Sequence, residues 1–445
     1  MREVIKKTYK NSRIFRFFFR IAYSLLSIAR VVHISIENIF NIKGIQDMRI
    51  AHIGPIHSAH YRSASSFLSN ILNLRKRKEH KLLIQSDPTV YYPYLEGPFE
   101  IIDRGIYNLL GSVHKNWLQS LMLDARTGFN RLTLLFLRKI LRSFNPDIIW
   151  VHDVQSAGYL YLDIFSAEYV QVRKPFVILS VWGNDIKYFF NRESHQEKIK
   201  NFLSHIDFII TETHQEINIV RSLGYSGLCS IPQSVTFQEK NKDKFNTSMN
   251  LSRKYYVILK GSYPFRSNIN WFVDQILKEK AFWKGRRIAL LNPIPEDIFS
   301  LKRAEGIIVI DIHKKLTTLQ MNDLFLQSSF HLICNYSDGL VNTAFEAAAA
   351  SCIPLFYKYT GTSEFLSEQV RELIVYDFNC PNITNRLISI EADVRLQNMI
   401  LNDVNRIALR TTNNDLYLQN ITTLLQAYER FNVMDRQTLK QDHRS

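Results

Sequence analysis

The chain has 445 residues, more than one ordinary hydrophobic core accommodates and enough for two domains. It is 46% hydrophobic and 22% charged, which excludes disorder over most of its length. The formal charge of +15 favours anionic partners: nucleic acid, anionic lipid or phosphorylated substrates.

Much of that charge lies at the start. Residues 1–30 carry Arg2, Lys6, Lys7, Lys10, Arg13, Arg16, Arg20 and Arg30 against Glu3 alone. Within RIFRFFFRIAYSLLSIAR, the basic and serine positions Arg13, Arg16, Arg20, Ser24, Ser27 and Arg30 share one helical stripe, and Phe15, Phe18, Phe19, Ala22, Leu25, Leu26 and Ala29 fill the other side. A basic stripe against an aromatic and aliphatic face suits a helix lying in a membrane interface. Packing on the protein's own body is the alternative. Ile21–Ala29 is too short an uncharged run to span a bilayer, and no small-residue cleavage site stands out after Ala29.

From Met48 the pattern alternates short apolar strands with helices. MRIAHIGP, KLLIQSD, PDIIWVHD, PFVILSVWGND, HIDFIITET and LCSIPQSV read as strands, with helices over about Ser63–Leu74, Asn116–Ser143 and up to about Leu223. Residues 237–253 are polar, lack apolar periodicity and read as a linker or surface excursion. A second series follows: KYYVILKGS, RRIALLNP, GIIVIDIH, FHLICNY, CIPLFYK and RELIVYDF. The pattern predicts two parallel sheets covered on both faces. The boundaries are an arm over 1–47, a first domain over 48–236, the linker, a second domain over 254–415, and a helix with a polar tail over 416–445. Ligands of such sheets bind beyond the carboxyl ends of the strands, where the polar residues of this sequence cluster.

The four cysteines, Cys229, Cys334, Cys352 and Cys380, form no CxxC pair and lie in or near apolar runs, so they read as small buried hydrophobes of a reducing compartment. Neither His57 with His60 nor His152 with Asp153 makes a metal-ligand pattern, and no metal is expected. The stretch DGLVNTAFEAAAASCIPLFY is a glycine turn, an alanine-rich helix and a strand. A helix N-terminus suits phosphate, and carboxylates accept hydrogen bonds from sugar hydroxyls. Asp338 before the turn and Glu346 about two turns into the helix fit that chemistry. They fit equally a turn-forming aspartate and a solvated helix acid.

The same stretch resembles the Glu-x7-Glu segment of retaining GT-B glycosyltransferases, with Asp338 at the first acid and Glu346 at the second. KYTGTSEFL is similar to the following glycine-pair segment, with Thr360 and Gly361 at the pair and Glu364 at its acid. KGSYPFRSNINWFV looks like the opening of a donor domain, PDIIWVHDVQSAG and SVWGNDI like strand ends of an acceptor domain, and CSIPQSV like the segment before the interdomain linker. The resemblance runs in order from about residue 48 to 430. It implies the GT-B fold: two Rossmann-like parallel-sheet domains facing a central cleft, here with an amphipathic helical arm.

That resemblance implies a set of roles. Glu346 would hold the nucleotide ribose and Asp338 the donor sugar. Arg266, with Lys260 as a second candidate, would hold the diphosphate, and stabilising the departing diphosphate is the main catalytic task. Gly339, Leu340, Gly261, Ser262, Gly361, Thr362 and Glu364 would complete the donor side, with the glycines letting backbone approach the donor. Asp185 joins Asp338 and Arg266 as a catalytic candidate, with no required protein nucleophile. His57, His60, Arg62, His152, Asp153, Trp182, Gly183 and Asn184 form the acceptor side, each histidine having a plain turn role as its alternative.

The implied activity is metal-independent transfer of a sugar, with retention, from a UDP- or GDP-sugar to a hydroxyl acceptor, with no cofactor. The basic arm suggests an anionic membrane surface and a lipid-linked or glycan acceptor in lipopolysaccharide or polysaccharide synthesis, at the inner face of the plasma membrane. No basic-aromatic nucleic-acid module is visible. The departures are Asp338 in place of glutamate, Ser262 in place of the usual arginine, and Trp182 in place of the usual histidine. They keep a degenerate binding subunit open, and a nucleotide-sugar epimerase on the same fold is the enzymatic alternative.

Overall fold

The computed structural model describes residues 48–54, 79–85, 100–103, 137–139, 141–165, 174–181, 183–234, 253–260, 269–291, 306–312, 316–334, 338–377, 383–411, 416, 419–420, 422–424 and 426–431. The arm, the linker excursion up to residue 252 and the polar tail beyond residue 431 lie outside these residues. So do His57, His60, Arg62, Trp182, Gly261, Ser262 and Arg266. Among the described residues no helix is long and apolar enough to cross a membrane.

Thirteen strands form two sheets among the described residues. The first contains β1 (Met48–Gly54), β2 (Glu79–Gln85), β3 (Glu100–Asp103), β4 (Ile148–His152), β5 (Phe176–Ser180), β6 (Phe208–Ile210) and β7 (Leu228–Cys229), in the order β3-β2-β1-β4-β5-β6-β7. The second contains β8 (Tyr255–Lys260), β9 (Arg287–Leu291), β10 (Ile308–Ile312), β11 (Ser328–Ile333), β12 (Ile353–Tyr357) and β13 (Val375–Tyr376), in the order β10-β9-β8-β11-β12-β13. Every pairing is parallel. In each sheet the order reverses beside the first strand, which opens a crevice at the carboxyl ends.

The apolar runs explain the burial. All five residues of β4, β5 and β12 are buried, as expected of central parallel strands covered on both faces. On β4, Ile149 and Val151 join a helix-covered core with Leu141, Leu160 and Phe202. Ile148 and Trp150 face the other way and pack with Phe176, Phe208, Leu424 and Ala427. The second sheet has its own core around Phe272, Trp283, Phe330, Phe345 and Phe356.

Leu424 and Ala427 belong to the last helical stretch, the described residues of 416–431, so the end of the chain returns to the first sheet. Asn420 secures that return: its side chain accepts from the Ile231 N–H at 2.7 Å and donates to the Ile231 carbonyl at 2.9 Å and Gln233 Oε1 at 2.8 Å.

Two local readings change. EIID forms β3, a short strand paired with β2 that the sequence pattern did not separate from its polar surroundings. RELIVYDF was expected as a strand. Most of its apolar run instead completes the helix Glu368–Ile374, which buries Val370 and Ile374, and only Val375–Tyr376 pairs with β12.

Candidate active site

Four strand ends meet between the two sheets. From the first, β5 runs into Gly183 and helix α1 (Asn184–Phe190), and β6 runs through Thr211, Glu212 and Thr213 into helix α2 (His214–Ser222). From the second, β11 leads to Asp338–Gly339–Leu340 and helix α3 (Asn342–Ala349), and β12 leads to a tight helical turn at Gly361–Phe365.

Gly183 caps α1 with φ 77° and ψ −81°. A Cβ there would lie 2.7 Å from the Asp338 carbonyl carbon, 2.8 Å from Gly339 Cα, and closer still to the Gly339 nitrogen. The turns of the two domains therefore touch backbone to backbone. Gly339 is pressed in the same way by side chains, and Gly361 by side chains and by the Gly339 carbonyl oxygen. A Cβ at Gly339 would strike Glu212 Oε2, and one at Gly361 would strike Thr213 Cγ2 and lie 2.7 Å from Lys187 Nζ. Glycine was expected there to admit a donor; in this structure the opposite domain occupies that space.

Hydrogen bonds close the junction. The Leu340 N–H donates to Glu212 Oε2 at 3.1 Å. The Gly361 N–H donates to the Asp338 carbonyl at 2.8 Å, and the Val341 N–H donates to Thr362 Oγ1 at 2.9 Å. Glu364 accepts from the His214 N–H at 2.6 Å and the Gln215 N–H at 3.1 Å. Those are free donors at the start of α2, where the helix dipole also favours a negative charge. Glu364 and Thr362, expected on the donor side, thus hold helix starts in this state.

The junction has a charged centre that sequence reasoning missed. Thr213 and Glu216 form a reciprocal cap of α2, and Glu216 Oε2 also accepts from the Glu212 N–H at 2.8 Å. Glu212, Glu216 and Lys187 are all buried. Glu212 Oε1, Glu216 Oε1 and Lys187 Nζ have no hydrogen-bond partner among the described residues. Burial holds the Glu212 carboxyl well above the ordinary glutamate range, and neighbouring Glu216 and Asp338 push it further; the Leu340 N–H and Lys187 oppose. Burial also raises Glu216, against Lys187 and two backbone N–H groups. Two crowded carboxyls beside one ammonium can keep a proton where an exposed pair would lose it.

The remaining predicted residues divide. Asp338 is half-buried, and Asp185 is buried in the first turn of α1 with Asn184 beside it. Glu346 is half-buried on α3. Lys260 ends β8. His152 ends β4, but its side chain is fully buried, stacked on Trp150 and His52, with its Nε2 3.0 Å from His52 Nδ1. Its contacts here are with interior groups, because His152 follows Trp150 on the same face of the strand. Asp153 adopts φ 123° and accepts from the Ala157 N–H at 2.8 Å, capping the next turn.

Two parallel sheets with their carboxyl ends opposed, joined at such a junction, define the GT-B architecture. Solved structures share it. The UDP-forming alpha,alpha-trehalose-phosphate synthase from Burkholderia vietnamiensis aligns with a TM-score of 0.58 at 9% identity, covering 86% of this chain and 100% of that one. The N-terminal domain of trehalose-6-phosphate phosphatase from Candida albicans aligns at 0.57 and 10% identity, covering 86% and 98%. The sucrose-phosphate synthase from Thermosynechococcus elongatus is 13% identical with a TM-score of 0.56, covering 86% and 100%. At these identities the likeness shows the fold. The family described as Glycosyl transferase 4-like matches residues 115–213, which include Gly183, Asp185, Lys187 and Glu212. No curated protein matches the chain by sequence.

Proposed function

We propose that the protein is a glycosyltransferase that moves a sugar from a nucleoside diphosphate to a hydroxyl acceptor with retention of configuration. The observation that carries this reading is the junction itself: the turn of Asp338, the start of α3 with Glu346, and the turn of Gly183 and Asp185 belong to opposed strand ends. The matching family description and the sugar-phosphate synthases among the similar folds support it.

In this reading, Glu346 accepts hydrogen bonds from the ribose hydroxyls and Asp338 from the donor sugar. Arg266 and Lys260 hold the diphosphate, whose growing negative charge is the main thing to stabilise. The acceptor hydroxyl attacks on the face the diphosphate leaves, and Asp185 lies on its side of the cleft. The leaving diphosphate oxygens take the acceptor proton, so no carboxylate need become covalently attached. Donor entry requires the turns at Gly339 and Gly361 to part from Glu212 and Lys187, so the buried acid pair opens with the cleft.

The acceptor is a lipid-linked or cell-surface glycan, reached from the cytoplasmic face through the basic arm of residues 1–30. A binding subunit without transfer is the second reading. It draws support from Glu364 and Thr362, which serve as helix caps.

The test is incubation with UDP-, GDP- and TDP-sugars and reading the anomeric configuration of any released or transferred sugar by NMR. Retention with one donor supports the proposal; inversion removes the mechanism. Binding without turnover over long incubation leaves the subunit reading. Removal of residues 1–30 is expected to move the protein from membrane to soluble fractions, and an unchanged distribution removes the membrane role.

A further inference from the structure

At the opposite end of the second sheet, beyond the amino ends of β8, β9 and β11, lies an open groove of about 900 Å³. Arg253, Lys254, Arg286 and Arg287 line it, against two acids, Asp323 and Glu391. A fold that uses only its carboxyl-end cleft has no need of four cations here.

Arg253 and Arg286 are held in place mainly by neutral groups. The Arg253 guanidinium donates to the carbonyls of Ser328 at 2.8 Å, Ser329 at 3.2 Å and Ser351 at 2.8 Å, and no carboxylate pairs with it among the described residues. It is fixed by neutral acceptors. Arg286 lies over the rings of Tyr256 and Phe282, at 3.8 and 4.1 Å from their centroids, with Nε donating to the Phe282 carbonyl at 3.0 Å. Its one acidic neighbour, Glu391, is 3.5 Å away and also accepts from the Tyr256 hydroxyl at 3.1 Å. A guanidinium stacked on rings is pre-oriented, so little freedom remains to be lost when its open edge meets a phosphate.

Lys254 and Arg287 differ. Both are exposed, and neither forms an ion pair among the described residues. Lys254 only rests against the Tyr255 ring, 5.2 Å from its centroid. They bear little of the fold's weight, yet they stand beside two anchored guanidiniums in one groove. Three forked guanidiniums and one ammonium, with a net positive balance, match phosphate oxygens, which take several charge-assisted hydrogen bonds at once.

We propose that this groove is a phosphate-binding site, distinct from the interdomain junction. Its ligand is a phosphate or diphosphate group, carried by a soluble molecule or by a lipid headgroup. Arg286 and Arg253 form the fixed part and Lys254 and Arg287 the part that closes on the ligand.

The test uses the full chain and a Lys254→Gln, Arg287→Gln double variant. Lys200→Gln with Arg395→Gln is the control, which removes two exposed positive charges elsewhere. Pyrophosphate binding is followed by calorimetry, and binding to vesicles of phosphatidylcholine with 30% phosphatidylglycerol by flotation, all at one salt concentration. The expected result is at least a tenfold loss of affinity in the groove variant, with the control within twofold of the parent and all three melting alike. Loss in the pyrophosphate arm identifies a soluble phosphate ligand; loss confined to the vesicle arm identifies a headgroup. Equal losses in groove variant and control, or no loss in either arm, overturn the proposal.

Discussion

Gly183→Ala tests the junction most sharply. The residue adopts φ 77°, which costs an alanine about 1–2 kcal/mol. Its new methyl would also meet only backbone: the Asp338 carbonyl carbon at 2.7 Å, Gly339 Cα at 2.8 Å and the Gly339 nitrogen nearer still. Backbone cannot swing aside as a side chain can, so the two turns must separate by a sizeable fraction of an ångström. That movement stretches the 3.1 Å bond from the Leu340 N–H to Glu212, and leaving those buried groups unsatisfied costs about 1–3 kcal/mol. The sum is about 2–5 kcal/mol. Gly224→Ala is the matched comparison: φ is 91°, and nothing lies within 4 Å of the added methyl, so only the backbone cost of about 1–2 kcal/mol applies. Urea midpoints of the two variants, with hydrogen exchange over residues 338–364, measure the difference. Gly183→Ala should be the costlier and should deprotect the Leu340 amide. Equal costs with the amide still protected would refute the backbone contact.

The charged centre yields three further expectations. Because folding raises the Glu212 pKa, the folded protein keeps a proton that the unfolded chain loses once pH passes the ordinary glutamate range; stability then falls with rising pH up to the raised value. Glu212→Gln should flatten that fall and exceed the parent's urea midpoint at the alkaline end, and superimposable pH profiles would contradict it. Lys187→Met strips the buried acids of their cation and should cost about 3–5 kcal/mol near neutral pH, and clearly less near pH 4 where the acids hold protons; a pH-independent cost would show that the ammonium does not face them. Glu364→Ala removes two acceptor contacts from the start of α2 and should lower stability by about 1–3 kcal/mol; exchange protection of the His214 and Gln215 amides is the readout, and unchanged protection would contradict it.

The sheets were legible because each central strand is a run of apolar residues ending in polar ones, as in IIWVHD and FVILSVWGND. What blurred was short or shared: β3 has four residues, and the apolar run of RELIVYDF serves a helix before it serves a strand. The turns of Gly183, Gly339 and Gly361 could be picked out from their glycines. Their reason could not, because the contacts that demand glycine come from residues more than a hundred positions away.

Glu212, Glu216 and Lys187 passed unnoticed for a related cause. In ITETHQEI, the Thr213 and Glu216 pair reads as an ordinary helix cap, and only tertiary packing turns Glu212 into a buried acid. His152 stands at a strand end, where site residues of this fold gather, and its side chain is buried. Its position two after Trp150 puts it on the same face of β4, and the covering of both faces by the rest of the fold buries it. The basic groove draws Arg253 and Lys254 from the start of one strand and Arg286 and Arg287 from another, so no local charge run announces it.

The central claim is that Glu346 holds the ribose of a nucleotide sugar. Calorimetric titration of the full chain and of Glu346→Gln with UDP-, GDP- and TDP-sugars tests it directly. One donor is expected to bind the parent and to bind Glu346→Gln at least tenfold more weakly, about 1.4 kcal/mol, with the melting temperature unchanged. Equal affinity in the two proteins, or no binding of any nucleotide sugar by the parent, would contradict it.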